Sequence, residues 1–160
     1  MTGKKHRYRV AVEWTGNQGS GTSTYAGYGR EHVIRAGTKA AIAGSADPAF
    51  RGDAARWNPE ELLLASIAAC HKLWYLHLCS AAGIVVMRYT DEAEAIMEED
   101  PTGAGRFVSA ELHPHVVIQA SGDTAKAARL HHDAHQYCFI ANSVNFPIGC
   151  VPVITTGTDT

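Results

Sequence analysis

The chain has 160 residues, 46% of them hydrophobic and 19% charged, with a formal net charge of −2. That length suits a single domain, residues 1–160, large enough to bury a core of its own. Acidic and basic residues are mixed without a basic stripe or tail, which argues against a nucleic-acid surface. The opening MTGKKHRYRVAVEW carries positive charge but no long apolar stretch, so it does not read as a secretory signal.

The first strand is expected at residues 6–14, where Tyr8, Val10, Val12 and Trp14 alternate with basic or small residues. Asn17 to Gly21 is a glycine-rich turn between strands, and it lacks the following helix that a phosphate-cradling loop requires. Thr22 to Tyr28 and Glu31 to Arg35 read as two further strands. Residues 36–58 contain three glycines, a proline and several charges, which predicts a long loop.

Asn58-Pro59-Glu60-Glu61 is a strong helix start: a capping side chain, a proline at the first helical position and two carboxylates at the positive end of the dipole. The helix is expected to run to about Ala82 and stop at Gly83. Between Leu62 and Leu78 it is apolar nearly all round, which predicts burial on most sides. The apolar stretches are broken by Glu, His and Lys, so no membrane span is expected. Residues 84–98 and 106–119 read as two long strands joined by Glu98 to Gly103, with Pro114 marking an edge or a bulge. A second helix spans about Thr124 to Gln136, a short helical turn follows at 139–143, and a closing strand covers Val144 to Ile154. The order βββ-α-ββ-α-β is an α+β fold.

Four cysteines without a CxxC pair are too few for a disulfide scaffold; in a cytoplasmic, reducing setting they are core residues, ligands or reactive thiols. Cys79 and Cys150 have no polar constellation and read as packing. Cys70 lies too deep in its helix to gain much from the dipole, so a reactive thiolate there needs a nearby cation. Arg51 and Arg56 in the preceding loop are candidates, as are Arg30 and Arg35 if strand register brings them near. Along an unbroken second helix, His131, His135 and Cys138 share one face, a three-ligand pattern that leaves metal binding open, with His71 as a further candidate.

Asn58-Pro59-Glu60-Glu61-Leu62-Leu63 followed by Ala68-Ala69-Cys70, together with His135-x-x-Cys138, Ile140-Ala141-Asn142-Ser143 and Val144-Asn145-Phe146-Pro147, resembles the OsmC/Ohr family of bacterial hydroperoxide-detoxifying proteins. The resemblance implies an intertwined homodimer around two long central helices. It implies that Cys70 is the peroxidatic cysteine, attacking an organic hydroperoxide to give a sulfenic acid, and that Cys138 is the resolving cysteine. It also implies that Glu60 holds a catalytic arginine and that a small dithiol or a lipoylated protein is the reductant. No metal, flavin or haem is implied. Where the family usually carries its arginine, ahead of a phenylalanine, this chain has Ala49, and Arg51 is the substitute expectation. Tyr137 and Phe139 are expected to line an apolar pocket. The alternative is a non-enzymatic stress, redox-sensing or small-molecule-binding protein on the same fold.

Overall fold

The computed structural model describes residues 3–157. It has α+β architecture and divides into two compact units, one up to Leu62 and one from Leu63 on.

In the first unit β1 (Ala11–Trp14), β2 (His32–Arg35) and β3 (Ile42–Gly44) form an antiparallel sheet in the order β1-β2-β3, with Val12 opposite Ile34 and Ile34 opposite Ile42. The strand expected at Thr22–Tyr28 is absent. Its backbone groups are taken up locally instead. The Asn17 side-chain oxygen accepts from the backbone N–H of Gly19 (2.9 Å) and Gly21 (3.0 Å), an Asx-type turn. The Gly27 N–H bonds the Thr24 carbonyl, and the Arg30 guanidinium donates to the carbonyls of Tyr25 and Tyr28. The third strand is β3, inside the segment expected to be a loop. Its end is held by a bridge between Gly44 and Trp57. A 3₁₀ turn follows at Pro48–Phe50, capped by Asp47, which accepts from the Ala49 N–H at 2.7 Å.

Helix α1 (Pro59–Ala81) begins and ends as its sequence dictates. The Asn58 side chain accepts from Glu61 N at 2.7 Å while Glu61 Oε2 accepts from Asn58 N at 3.3 Å, a reciprocal capping box. Gly83 takes the left-handed φ of 75°, and Ile84 N donates to Cys79 O at 2.9 Å, closing the C-terminus. Burial on most sides is not what the chain achieves. One stripe is buried, Ile67, His71, Tyr75 and Cys79 at four-residue spacing, while Leu73 remains 63% exposed. By length and composition alone α1 is apolar enough to cross a bilayer, an 18-residue stretch of it reaching a mean hydropathy of 1.4, but its buried stripe is that of a core helix. Glu60 and Glu61 sit in its first turn, which leaves the remainder rich in Leu and Ala.

The second unit contains two mixed three-stranded sheets. β4 (Val86–Asp91), β7 (Pro114–Ile118) and β9 (Val153–Thr156) form one, in the order β4-β7-β9; β5 (Glu94–Glu99), β6 (Gly105–Leu112) and β8 (Ile148–Cys150) form the other, in the order β5-β6-β8. The expected hairpin is present, since β5 pairs antiparallel with β6 and β4 with β7. However, each long strand leaves one sheet and enters the other. The breaks fall at Glu92-Ala93, His113 and Val151-Pro152. Asp91 pins the switch by accepting from the His113 N–H at 2.8 Å. Pro114, which has no N–H to give a ladder, opens β7 next to the break rather than lying on an edge strand. The closing segment pairs parallel to both β6 and β7.

Helix α2 (Thr124–Tyr137) is capped by Asp123, which accepts from Lys126 N at 2.9 Å. It buries Ala127, His131 and Ala134. Ala127 and Ala134 pack with Tyr75, Cys79, Ile84, Val116 and Ile118 into the core of this unit, and His131 lies against the Tyr75 ring.

Candidate functional site

Cys70 is half-buried on α1. Cys138 caps the C-terminus of α2 with extended backbone (φ −67°, ψ 109°), so the helix ends at Tyr137. The turn that follows holds its thiol: Sγ accepts from the Ala141 N–H at 3.4 Å, and the Cys138 carbonyl accepts from Asn142 N at 3.0 Å. The two cysteines, 68 positions apart, are brought close enough for the Cys70 thiol to act on that of Cys138, and both are free.

Aromatic packing explains this approach. Trp74 lies one helical turn beyond Cys70, and Tyr137 and Phe139 flank Cys138. Trp74 meets the Tyr137 ring offset-parallel at 5.2 Å and the Phe139 ring edge-on at 5.5 Å. Two such pairs contribute about 0.5–1.5 kcal/mol each beyond area burial. An apolar recess of about 240 Å³, lined by Leu73, Trp74 and His77, opens beside them.

The two thiols differ in environment. Cys138 is 1% exposed, and burial, chiefly, pushes its pKa up to about 11. The Ala141 N–H works in the opposite sense and the contact with Cys70 adds to the rise. Cys138 is therefore a protonated thiol at neutral pH. Burial also raises Cys79. Cys150 is pushed up to about 12, by burial first and then by the charges of Asp91 and Glu111.

Glu60 and Arg51 both lie in the first unit. Glu60 lines a cleft of about 180 Å³ with Arg30, His32, Asp47 and Phe50, and its buried Oε2 has no hydrogen-bond partner among the described residues. Arg51 is exposed and closes the 3₁₀ turn in left-handed backbone, φ 65°, with its guanidinium 5.9 Å from the centre of the Tyr25 ring. Among the described residues Glu60 and Arg51 form no ion pair. The arginine that shares the cleft with Glu60 is Arg30, held over the Tyr25 and Tyr28 rings at 4.4 and 4.1 Å. Arg56 pairs with Asp53, and Arg35 with Glu13.

The histidines are gathered differently from the helix-face expectation. Because α2 ends before Cys138, His131, His135 and Cys138 form no donor cluster among the described residues. His131 instead faces His71, Nδ1 to Nε2 at 2.9 Å, and Cys150 Sγ lies 3.8 Å from the same His71 nitrogen. Burial, the larger influence on each ring, holds both imidazoles neutral well below their ordinary pKa. Cys150 read as packing in the sequence because its partners lie 79 and 19 positions away on other elements.

The model of the OsmC-like protein family matches residues 52–150, most of the chain and all of the cysteines. No curated protein matches the sequence. Among solved structures, an OsmC-like protein of unknown function from Vibrio cholerae is 27% identical, covers 93% of this chain and 100% of its own, and superposes with a TM-score of 0.84. An OsmC-like protein from Mycoplasma pneumoniae (15% identity, 95% and 99% coverage, TM-score 0.73) shares the fold. So does an organic hydroperoxide resistance protein from Elizabethkingia anophelis (18% identity, 96% and 100% coverage, TM-score 0.66). With a family match over residues 52–150 and an α+β fold shared along nearly its whole length, this chain belongs to the OsmC-like protein family.

Proposed function

We propose that this protein is a cysteine-based peroxidase that reduces organic hydroperoxides to alcohols in the cytoplasm. The observation that carries the reading is the contact between half-buried Cys70 and buried Cys138 at an aromatic wall. The name of the Elizabethkingia relative points to the same substrate class.

In the first step the Cys70 thiolate attacks the terminal oxygen of ROOH. The O–O bond breaks, the alkoxide takes a proton and leaves as ROH, and Cys70 becomes a sulfenic acid. In the second step Cys138 attacks the sulfenic sulfur. A Cys70–Cys138 disulfide forms and water leaves. An external dithiol, small or lipoylated, then returns both cysteines to thiols and is itself oxidised to a disulfide. The division of labour follows burial: Cys70 is open to a substrate, whereas Cys138 is sealed, protonated and already in contact with its target. Trp74, Tyr137 and Phe139 offer an apolar, aromatic surface that suits an organic peroxide better than H2O2.

Glu60 positions the cation that activates Cys70. Arg51 is the residue assigned to that role, and Arg30 competes for it because it shares the Glu60 cleft. The protein acts as a homodimer; the uncovered side of α1, with Leu73 at 63% exposure, is the surface a second copy would cover.

The test is stopped-flow oxidation of the reduced protein by cumene hydroperoxide and by H2O2, with intact-mass readout. Fast loss of two hydrogen atoms' mass in a Cys70–Cys138 disulfide, quicker with the organic peroxide, is the expected result. Oxidation at the rate of an ordinary free thiol would reject the peroxidase and leave a binding role. Run on Arg30→Ala and Arg51→Ala, the same assay assigns the cation: the slower variant has lost it.

A further inference from the structure

Behind the thiol pair, on the core side of α1, lies a second group of donors that the proposed peroxidase does not use. His71 comes from α1, His131 from α2 and Cys150 from β8. His71 is 1% exposed and His131 3%. Two imidazoles in an apolar core are costly unless their nitrogens are occupied. Their near-parallel rings, with centres 5.2 Å apart and nitrogens at 2.9 Å, meet edge to edge rather than face to face. One hydrogen bond between them leaves His71 Nδ1 and His131 Nε2 without partners among the described residues. One ring nitrogen of each histidine and the Cys150 sulfur all lie within 4.8 Å of one another.

We propose that His71 Nε2, His131 Nδ1 and Cys150 Sγ form a binding site for one thiophilic d10 metal ion, Zn2+ or Cu+. The donor set is the borderline-soft mixture of imidazole and thiolate that such ions select. With metal–nitrogen bonds of about 2.0–2.1 Å and a metal–sulfur bond of about 2.3 Å, nitrogen and sulfur sit roughly 3.5–3.8 Å apart. The His71–Cys150 separation of 3.8 Å already meets that. The two nitrogens must part from 2.9 Å to about 3.3–3.5 Å by the same bond lengths. The Tyr75 ring lies flat against His131 with centres 3.8 Å apart, so the shift that metal binding requires runs within the imidazole plane and not out of it. On binding, the Cys150 S–H bond is replaced by a metal–sulfur bond and its proton passes to solvent. The proton between the rings moves to an outer nitrogen, and both histidines stay neutral, each giving one lone pair. Asp91 and Glu111, whose charges reach Cys150, offset the charge of a divalent ion; Cu+ with one thiolate is neutral without them.

The site is separable from the thiol pair, since neither Cys70 nor Cys138 belongs to it. The experiment uses tag-free, chelator-stripped, fully reduced full-length protein, titrated anaerobically with Zn2+ or with Cu+ against chromophoric competitors of known affinity. The expected result is one equivalent bound by the wild type and by the Cys70→Ser/Cys138→Ser double variant, with Cys150 shielded from alkylation in the loaded protein. Cys150→Ser and His131→Gln are each expected to bind at least about tenfold more weakly. The ion retained with the higher affinity distinguishes zinc from copper. No binding to the wild type would overturn the proposal and leave a hydrogen-bonded histidine pair. Binding that disappears in the double variant would overturn it equally, by moving the metal to the Cys70–Cys138 pair. If Cys150→Ser fails to fold, stoichiometry in the double variant and alkylation of Cys150 in the wild type still decide the question.

Discussion

Cys70 and His71 are adjacent, yet about 100° of helical rotation puts them in different surroundings. The His71 stripe of α1 enters a closed core with Tyr75 and Cys79. The Cys70 side meets the end of α2, and its neighbours Trp74 and His77 border an open recess. A thiol that must meet a substrate needs the second environment. An imidazole kept neutral and isolated from solvent needs the first. One helix thus carries two chemistries because its faces differ in access, even though the residues on them are similarly apolar.

The sharpest way to break this comparison is to remove one thiol from each face. Cys70→Ser is expected to lower peroxide consumption by at least about 100-fold, as loss of a nucleophile does, whereas Cys79→Ser leaves it near the wild-type rate. Equal losses in a coupled peroxide assay would mean that the faces do not divide the chemistry.

Packing separates the same faces by a smaller margin. Ile67→Ala on the closed stripe is expected to cost about 3 kcal/mol in denaturant unfolding. Leu73→Ala on the uncovered side is expected to cost no more than about 0.5 kcal/mol at concentrations that favour monomer. Its cost rises with protein concentration if a second copy covers that side. A cost for Leu73→Ala that matches Ile67→Ala at all concentrations would place Leu73 in a core of its own chain.

Trp74→Ala tests whether aromatic packing sets the distance between the thiols. Losing the contacts with Tyr137 and Phe139 is expected to cost about 2 kcal/mol. Disulfide formation after the first oxidation should slow while sulfenic acid formation does not. An unchanged rate of disulfide formation would show that the turn at Ala141, and not Trp74, holds Cys138 in place.

Local signals were the legible ones. Asn58, Pro59, Glu61 and Gly83 specify the ends of α1 through bonds within a few residues, and the turn at Glu98 to Gly103 specifies the β5–β6 hairpin. The Thr22–Tyr28 segment has strand-like composition, but its carbonyls are satisfied by a turn and by Arg30, and strand formation needs a partner that composition does not reveal. The sheet-to-sheet switches at Glu92, His113 and Pro152 leave the strand signal on both sides intact, so only Pro114 and Pro152 hint at them. Apolarity nearly all round α1 reads as burial on most sides, but a single copy of the chain covers one stripe. In the candidate site, the order of Cys70 and Cys138 motifs was readable by resemblance. The His71–His131–Cys150 group was not, because it joins α1, α2 and β8 across 60 and 79 positions.

Arg51 occupies left-handed backbone at φ 65°, the one non-glycine among the described residues to do so. An L-residue pays roughly 1–2 kcal/mol there that glycine does not. Arg51→Gly is therefore expected to make the protein melt higher. If the guanidinium also serves Cys70, the same substitution makes it a slower catalyst. Thermal and kinetic assays would then move in opposite directions from a single change, the signature of a residue kept for its side chain at the expense of its backbone.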